Sequence, residues 1–318
     1  MTFSVLGCGR WGSFLAWYLQ QNGHDPILWG RAGSPHMQQL MANRRNDYLV
    51  LDDAMRLTTD LSEALTADVL LVSIGAQQLR ELCRTLASVP LKNKILVLCM
   101  KGIESDSGCR LTEVAKETLD QSNTIAIWVG PGHVEEFVKG VPDCMVLDSD
   151  TPAVRDLLVK QLSSPLIRFY YGHDLVGNEI GAAAKNVIGL AAGMLDGLGF
   201  SSLKGALMTR APREIAALIS ALGGDPRSAY GLAHLGDYEA TLFSAHSRNR
   251  QYGERFVRGL SMDGLAEGVQ TTNAMVKMGV RCGVELPICH AVWDILHGNT
   301  DARTCLFHLF DREQKSEF

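Results

Sequence analysis

A glycine-rich turn near the N-terminus constrains the fold of this chain more than any other feature. Residues 7–12 read GCGRWG, which fits the pattern GxGxxG, between an apolar run at 3–6 and a helix expected from Trp11 to Gln21. In such a turn the first glycine allows the bend, the second lets backbone approach a pyrophosphate, and the third permits close packing of helix on strand. Strand, turn and helix in this order predict a dinucleotide-binding βα unit rather than an ordinary loop.

Short apolar runs rich in β-branched residues follow one another through the first half of the chain, separated by helical segments. These runs are Phe3 to Leu6, Pro26 to Trp29, Val69 to Ile74, Ile95 to Met100, Ile125 to Val129 and Cys144 to Leu147. Apolar strands that alternate with helices predict a parallel sheet covered on both faces. The first half is therefore expected to be a doubly wound α/β domain.

The pattern changes near Leu175, after which strand signals stop. Gly177 to Asp196 and Lys204 to Leu222 carry apolar residues at helical spacing, and Gly-Gly-Asp-Pro at 223–226 interrupts the pattern. A change from alternating elements to helices alone predicts a second, all-α domain. We place a dinucleotide-binding domain at 1–172 and a helical substrate and catalytic domain at 173–318.

Composition excludes several classes of partner. A formal net charge of -5 gives no reason to expect nucleic acid or an anionic membrane surface as a partner. We expect no signal peptide, because the N-terminus lacks a basic stretch and a long apolar run. The sequence has no apolar run of the roughly 20 residues that stable membrane insertion needs, and no CxxC or HExxH spacing. We therefore expect a cytoplasmic protein whose eight cysteines are reduced and mostly buried, with no metal site.

The residue after the second predicted strand bears on cofactor choice. An NAD enzyme carries an acid there, some 20 residues after the glycine turn, to bind the ribose hydroxyls. This chain has Arg31 instead. A guanidinium can pair with a 2′-phosphate, which favours NADP; the alternative is a solvent-exposed arginine on a loop.

The first long helix of the second half combines one lysine with several glycines. Gly181, Gly189 and Gly193 follow the same four-residue spacing as Lys185, which places them along the face of the lysine. Because glycine weakens a helix, the stripe indicates that something approaches the backbone closely. Two interpretations stay open: a ligand beside Lys185, or close packing against another helix with Lys185 in water.

Two further polar positions are candidates for binding an anion. Ser247, Arg248 and Asn249 together supply the donors that a phosphate dianion needs, although most polar loops of this composition are plain surface. Lys101 follows the carboxyl end of a predicted strand, where doubly wound sheets bind ligands. The residues alone do not assign either position.

These motifs, in this order, resemble the bacterial biosynthetic NAD(P)-dependent glycerol-3-phosphate dehydrogenases. The resemblance covers nearly the whole chain, and its other motifs are KGIE at 101–104, GPGH at 130–133, AKNVI at 184–188, LGD at 235–237, SRNR at 247–250 and AEGV at 266–269. It implies a Rossmann-type N-terminal domain and an all-α C-terminal domain. It also implies NAD(P)H-dependent, reversible reduction of dihydroxyacetone phosphate to sn-glycerol 3-phosphate for phospholipid synthesis.

The resemblance also implies the cofactor, the partners and the roles of individual residues. The cofactor is NADP or NAD, with NADPH favoured because of Arg31; the partner is a small-molecule phosphate substrate, and a homodimer is the assembly to test. Lys185 would be the catalytic acid/base. Residues that would bind substrate are Lys101, Gly130, Gly132, Lys185, Asp237, Ser247, Arg248 and Asn249. Residues that would contact the dinucleotide are Gly7, Gly9, Arg10, Trp11, Gly12, Arg31, Lys101, Val134, Arg248, Leu265 and Glu267.

Three segments depart from the pattern of the family. The family usually has Ser or Thr where this chain has Gly132 and Ala where it has Val134, so a hydroxyl contact is missing and the loop is expected to sit differently. The run IGAQ at 74–77 replaces Val-Pro-Ser, and YLVL at 48–51 replaces Tyr-Leu-Pro-Gly. These differences bear on cofactor affinity and selectivity more than on the reaction.

The implied mechanism centres on Lys185, which can polarise a carbonyl oxygen and supply its proton. A free lysine has a pKa of about 10.4, and burial beside a second cation, for which Lys101 is the candidate, would lower it. A phosphate anchor at 247–249 would hold the reacting carbon in line. Two rival functions remain: a two-domain hydride transferase acting on a small hydroxy acid, and a dinucleotide-binding protein that has lost catalysis.

Overall fold

The computed structural model describes residues 1–261, 264, 266–298, 300–314 and 316. The chain divides into two compact units. The first comprises Met1–Lys101 with Cys109–Leu175, and the second comprises Gly102–Gly108 with Val176–Phe318. Each unit has a hydrophobic core of its own, and Ile103 lies in the core of the second unit.

The first unit is built on one eight-stranded sheet. Its strands are β1 (Phe3–Leu6), β2 (Ile27–Trp29), β3 (Arg56–Thr58), β4 (Val69–Val72), β5 (Ile95–Leu98), β6 (Thr124–Val129), β7 (Asp143–Ser149) and β8 (Ile167–Tyr171). The order across the sheet is β3-β2-β1-β4-β5-β6-β7-β8. All neighbouring pairs are parallel except β6 and β7, which are antiparallel.

The antiparallel pair corrects the prediction of an all-parallel sheet. The connection from β6 to β7 contains a helix of only five residues, Val134–Val138, whereas a return to a parallel strand usually needs a full crossover helix. β7 therefore runs back beside β6. The prediction also omitted β3 and β8, because both are short edge strands with exposed side chains and weak apolar patterns.

Seven helices of the first unit connect the strands. They are α1 (Arg10–Gln21), α2 (Pro35–Asn43), α3 (Leu61–Ala64), α4 (Leu79–Ala87), α5 (Leu111–Thr118), α6 (Val134–Val138) and α7 (Pro152–Leu162). Every residue of β1 and β4 is buried, as expected for central strands with both faces covered. Trp128 and Tyr18 are the largest fully buried side chains of this core, and α1 ends at Gln21 as predicted.

The second unit contains α-helices and short turns, with no β-strand among its described residues. The helices are α8 (Leu175–Leu198), α9 (Lys204–Ala221), α10 (Arg248–Val257), α11 (Glu267–Cys282), α12 (Pro287–Leu296) and α13 (Ala302–Phe310). α8 is buried on nearly all sides, which explains why its sequence is apolar and small all round. The predicted fold class, a doubly wound α/β domain followed by an all-α domain, is confirmed.

None of the helices in the described part of the chain is both long enough and apolar enough to span a bilayer.

Candidate active site

The glycine turn packs closely against neighbouring backbone at two of its three glycines and is open at the third. Gly7 has a φ of +114°, and a Cβ atom there would lie 2.1 Å from the carbonyl oxygen of Ser73. A Cβ atom at Gly12 would lie 1.8 Å from the Gly7 oxygen, so neither glycine tolerates a side chain. A Cβ atom at Gly9 would meet nothing within 4 Å. Gly9 therefore leaves open the space in which backbone can approach a pyrophosphate.

Two residues within the turn contact the rest of the first unit. The guanidinium of Arg10 pairs with Glu135 and lies 5.0 Å from the centre of the Tyr48 ring. Its Nε atom is buried and has no hydrogen-bond partner among the described residues. Trp11 packs with its ring centre 4.9 Å from that of Phe14, so it anchors the turn to the core.

Arg31 lies just beyond the end of β2, and its side chain is exposed. The guanidinium makes no hydrogen bond or ion pair with the described residues, so it can meet a ligand. Nearby, Ser34 caps α2 by accepting a hydrogen bond from the N–H of Met37, and its Oγ lies 3.6 Å from the Sγ of Cys8. The sequence interpretation missed Ser34; its signal was a Ser-Pro pair, which is typical of a helix start.

The loop after β6 has a backbone conformation at Gly132 that leaves no room for a side chain. Gly132 has a φ of +137°, and a Cβ atom there would lie 2.3 Å from the ring of Phe137, so this backbone excludes Ser or Thr. The Nζ of Lys101 donates to the carbonyl oxygen of Gly130. Val134 is 2% exposed.

The chemistry of the second unit centres on Lys185. Its Nζ lies 3.0 Å from Oδ2 of Asp237 and donates to Oγ1 of Thr241 at 3.1 Å. The side chain of Lys185 is 13% exposed, and that of Asp237 is 1% exposed. A nearly buried ammonium is thus held by a buried carboxylate and a hydroxyl.

Thr241 was not singled out by the sequence analysis. Asp237 ends the 3₁₀ turn Leu235–Asp237, and Thr241 lies four residues later on the π-helical turn Glu239–Phe243. A π-helical turn is rare and often marks a functional site, but no sequence pattern announces it. The only signal was the spacing of a carboxylate and a hydroxyl by four residues, which places both on one side of a helical turn.

The glycine stripe of α8 is filled by protein. Cβ atoms added to Gly181, Gly189 and Gly193 would meet His234 Cβ at 2.9 Å, Thr241 Cγ2 at 2.8 Å and the Arg250 carbonyl oxygen at 1.9 Å. Of the two interpretations left open, close packing is thus the correct one for these glycines. The accompanying expectation that Lys185 projects into water is wrong, because Asp237 holds its Nζ.

A neutral histidine supports the segment that carries Asp237. Nδ1 of His234 lies 2.8 Å from the Gly181 carbonyl oxygen, and the Tyr238 hydroxyl lies 2.7 Å from Nε2. Because a carbonyl only accepts, Nδ1 bears the proton and Nε2 accepts from Tyr238. Burial lowers the pKa of His234 to about 4, so the ring is uncharged near neutrality.

The predicted phosphate cluster lies at the start of α10. Ser247 caps this helix by accepting from the N–H of Arg250, and Arg248 is exposed without a hydrogen bond or ion pair to the described residues. The amide of Asn249 connects three helices. It donates to Oδ1 of Asn186 and accepts from the N–H of Gly268, both at 3.0 Å. Asn249 thereby ties α10 to α8 and α11.

A buried charge network fixes the polypeptide between Asp237 and Ser247. Lys204 donates to the Leu242 carbonyl oxygen at 2.9 Å, and the Nε of Arg250 donates to that of Ser244 at 3.1 Å. Both cations also pair with Asp196, at 2.6 and 2.7 Å. Although burial opposes it, hydrogen bonds from Lys204, Ser201 and Arg250 hold the pKa of Asp196 below its ordinary value.

The remaining predicted residues are placed as follows. Glu267 is the first residue of α11 and is exposed, whereas Leu265 lies outside the described residues.

All eight cysteines are thiols rather than disulfides, as predicted, and five of them are buried. Within the described ranges, no three His, Cys, Asp or Glu side chains cluster in a way that could hold a metal ion.

Comparison with known proteins gives the same family in both halves of the chain. Residues 2–154 match the model of the NAD-dependent glycerol-3-phosphate dehydrogenase N-terminus, and residues 174–306 match that of its C-terminus. Relatives named glycerol-3-phosphate dehydrogenase (NAD(P)+), from Prosthecochloris aestuarii and a Thermoanaerobacter species, are each 36% identical to this chain. The alignments cover all of this chain and 100% and 99% of those proteins.

Solved structures agree with this result. Glycerol-3-phosphate dehydrogenase from Coxiella burnetii matches with a TM-score of 0.90 at 26% identity, over 98% of this chain and 99% of that one. D-mandelate dehydrogenase with NADH and anilino(oxo)acetate matches with a TM-score of 0.66 at 15% identity, over 96% and 99%, and so shares the fold alone. Because family models match both halves, this chain belongs to the NAD-dependent glycerol-3-phosphate dehydrogenase family, as the sequence resemblance predicted.

Proposed function

We propose that this chain reduces dihydroxyacetone phosphate to sn-glycerol 3-phosphate, reversibly, and so supplies the glycerol phosphate backbone of phospholipids. Membership of the family confirms the predicted class of enzyme, an oxidoreductase that uses NAD or NADP. The structural observation that carries the proposal is the buried Lys185–Asp237 pair with Thr241 at 3.1 Å from the lysine Nζ. These side chains form a ready proton donor in the second unit.

The N-terminal domain predicted at 1–172 is proposed to bind the dinucleotide. The open space at Gly9 suits the pyrophosphate, and the closely packed backbone at Gly7 and Gly12 holds the turn in place. The nicotinamide, when bound, supplies the hydride that reduces the carbonyl carbon. Further proposed contacts with the dinucleotide in this domain are Arg10, Trp11, Arg31, Lys101 and Val134. Arg248, Leu265 and Glu267, within residues 173–318, are proposed to complete the cofactor site.

The helical domain predicted at 173–318 is proposed to hold the substrate and to donate and accept the proton. Asp237 stabilises the ammonium form of Lys185 and orients it, while Thr241 fixes the Nζ from a second direction. Lys185 then polarises the carbonyl oxygen and delivers a proton to it as the oxygen becomes an alcohol. In the reverse direction the lysine accepts that proton.

The phosphate of the substrate is proposed to bind at the start of α10. Arg248 has an exposed guanidinium that can form paired hydrogen bonds with phosphate oxygens, and Ser247 and Asn249 complete the anchor. Binding energy gained there, away from the reacting carbon, holds the carbonyl in position for reduction. Lys101, Gly130 and Gly132 are the other proposed contacts with substrate.

Three broader properties are proposed on chemical grounds. The exposed Arg31 favours NADPH over NADH, since a guanidinium pairs with a 2′-phosphate. Eight cysteines without a disulfide suit the reducing cytoplasm. The net charge of -5 disfavours nucleic acid, and the lack of an apolar run of roughly 20 residues disfavours stable membrane insertion. A homodimer is the assembly to test by light scattering.

The decisive experiment measures loss of NAD(P)H absorbance with purified protein. We expect turnover with dihydroxyacetone phosphate and none with glyoxylate, pyruvate or 2-ketopantoate, because only the first carries the phosphate that Arg248 is proposed to bind. Faster turnover of a hydroxy or keto acid would favour the rival hydride transferase. Tight NADPH binding without turnover of any substrate would favour an inactive dinucleotide-binding protein.

A further inference from the structure

The helical unit contains a cavity that the proposed reaction does not use. It has a volume of about 820 Å³ and lies among α8, α9, α12 and α13. This is within the range of about 300–1,000 Å³ that is usual for small-molecule sites. None of the residues proposed to bind substrate or dinucleotide lines it.

One end of the cavity is apolar. Its lining there includes Met194, Leu198, Leu203, Leu207, Ile295 and Leu306. The beginning of α13 lies at this end, because the guanidinium of Arg303 stacks 4.9 Å from the centre of the Phe200 ring. No charged side chain lines this end in the described part of the chain. Such a wall favours an aliphatic chain over a polar ligand.

The other end of the cavity carries charge. Glu214 marks it, since its carboxylate accepts from the N–H groups of Ile288 and Cys289 at the start of α12. Arg312 and Glu285 form an ion pair at 2.8 Å at this end, so their charges offset each other. The carboxyl group of Glu214 is only partly ionised near neutral pH, since burial raises its pKa to about 7.

Two arginines of α9 supply the positive charge that remains. Arg210 and Arg213 both line the cavity and are three residues apart, so they share one face of the helix. Among the residues that the structure describes, Arg213 donates only to the carbonyl oxygen of Ser316, at 3.2 Å, and Arg210 makes no hydrogen bond or ion pair. Glu313, the other charged residue at the rim, is exposed and leaves these guanidinium donors available to an anion.

From these features we propose that the cavity binds a medium-chain fatty acid, with its alkyl chain at the apolar end and its carboxylate at Arg210 and Arg213. The distance along α9 from Leu203 to the two arginines is about 10–15 Å at a rise of about 1.5 Å per residue, which suits an extended chain such as that of decanoate. A planar guanidinium matches a carboxylate better than it matches an alcohol. The apolar end and the two arginines together favour a ligand that has both an alkyl chain and a negative charge.

The test is calorimetric titration of the full-length protein with decanoate, with decanol as the uncharged ligand of similar chain. Decanoate should bind with 1:1 stoichiometry, and decanol should bind roughly tenfold or more weakly, the scale of a charge-assisted hydrogen bond. Arg210→Gln should weaken decanoate by a similar factor and leave decanol unchanged. Arg84→Gln, at an exposed arginine of α4, is the matched control and should change neither.

A second variant tests the cavity without removing any packed side chain. Ala206 lines the cavity and is exposed, so Ala206→Trp should fill it and abolish decanoate binding while reduction of dihydroxyacetone phosphate continues. The proposal is overturned if decanoate does not bind, or if decanol binds equally well and Arg210→Gln has no effect. It is also overturned if Ala206→Trp turns an oligomer into monomers, because the cavity would then be covered by a second copy of the chain.

Discussion

The turn after β1 and the helix α8 both use glycine to bring atoms close together, but they admit different partners. In the turn, Gly7 and Gly12 make room for neighbouring backbone, and Gly9 faces open space. In α8, Gly181 and Gly193 receive His234 and the Arg250 carbonyl oxygen. The first region is closely packed around one open position, whereas the second is filled by its own chain.

This difference shows why a glycine stripe is a weaker signal than a glycine turn. The turn combines a strand, a bend and a helix start, and that context specifies a ligand as well as a backbone shape. A helix with glycine at four-residue intervals specifies only that something is near. In α8 the glycines let the segment that carries Asp237 and Thr241 reach Lys185, so they serve the site through packing.

The largest effect is expected when Lys185, which lies on the glycine stripe of α8, loses its charged side chain. Lys185→Ala should lower kcat for dihydroxyacetone phosphate by about 10²–10⁴-fold, the usual contribution of a positioned acid/base, and leave the Kd of NADPH nearly unchanged. Steady-state kinetics and a fluorescence titration of NADPH measure the two quantities. Lys160→Ala, on α7, is the matched control and should retain full activity. Near wild-type turnover of Lys185→Ala would remove this lysine from the mechanism.

The next largest effect is expected on cofactor affinity, from replacing Arg31 in the dinucleotide-binding domain. Arg31→Ala should weaken NADPH binding by about 1.5–3 kcal/mol, the scale of a charged hydrogen bond, and leave NADH almost untouched. The advantage of NADPH in the wild type should shrink as salt rises, since the contact is exposed. Fluorescence titrations with both cofactors decide the matter. Equal losses for the two would mean that Arg31 shapes the loop and does not meet a phosphate.

A pair of substitutions compares the two kinds of glycine directly. Gly193→Ala should lower the free energy of unfolding by about 1–3 kcal/mol or more, because its Cβ would meet rigid backbone at 1.9 Å. Gly9→Ala should change it by less than about 0.5 kcal/mol but weaken NADPH binding, because the open space belongs to the ligand. Urea unfolding and NADPH titration on both variants test this. A destabilised Gly9→Ala with normal affinity would contradict the comparison.

The smallest effect concerns pH and the two buried titratable groups of the helical unit. His234 has a pKa lowered to about 4, so its contribution to stability falls as pH drops from 6.5 to 4. Glu214 has a pKa raised to about 7, so it stabilises the fold at low pH and loses this effect as pH rises from 4.5 through 7. The two contributions oppose each other over most of this range.

Replacing one of the two groups should therefore reveal how the other makes the free energy of unfolding depend on pH. Relative to wild type, Glu214→Gln should lose about 1 kcal/mol of unfolding free energy for each unit that pH falls between 7 and 4.5, and nothing above pH 7. Urea unfolding at several pH values measures this slope. Glu313→Gln, at an exposed acid, should follow wild type. Parallel curves for Glu214→Gln and wild type would mean that Glu214 is ionised in the folded protein.

Local pattern was sufficient where the chemistry lies within a few consecutive residues. The turn at 7–12, the helix that ends at Gln21, the central apolar strands and the all-α second unit are as predicted. Each of these features follows from apolar periodicity or from backbone preferences within one short segment. The direction of β7 was not predictable in this way, because it depends on which strand the chain reaches after a short connection.

The sequence by itself determined the fold class, the family and the residue types that could carry the chemistry. Only the tertiary structure decided that the stripe of α8 is filled by protein and that Thr241 joins Asp237 around Lys185. It also decided that the backbone at Gly132 excludes a hydroxyl side chain, because Phe137 occupies the space. The physical reason is the same in each case: these outcomes depend on contacts between distant segments or on loop conformation, and periodicity describes only one segment at a time.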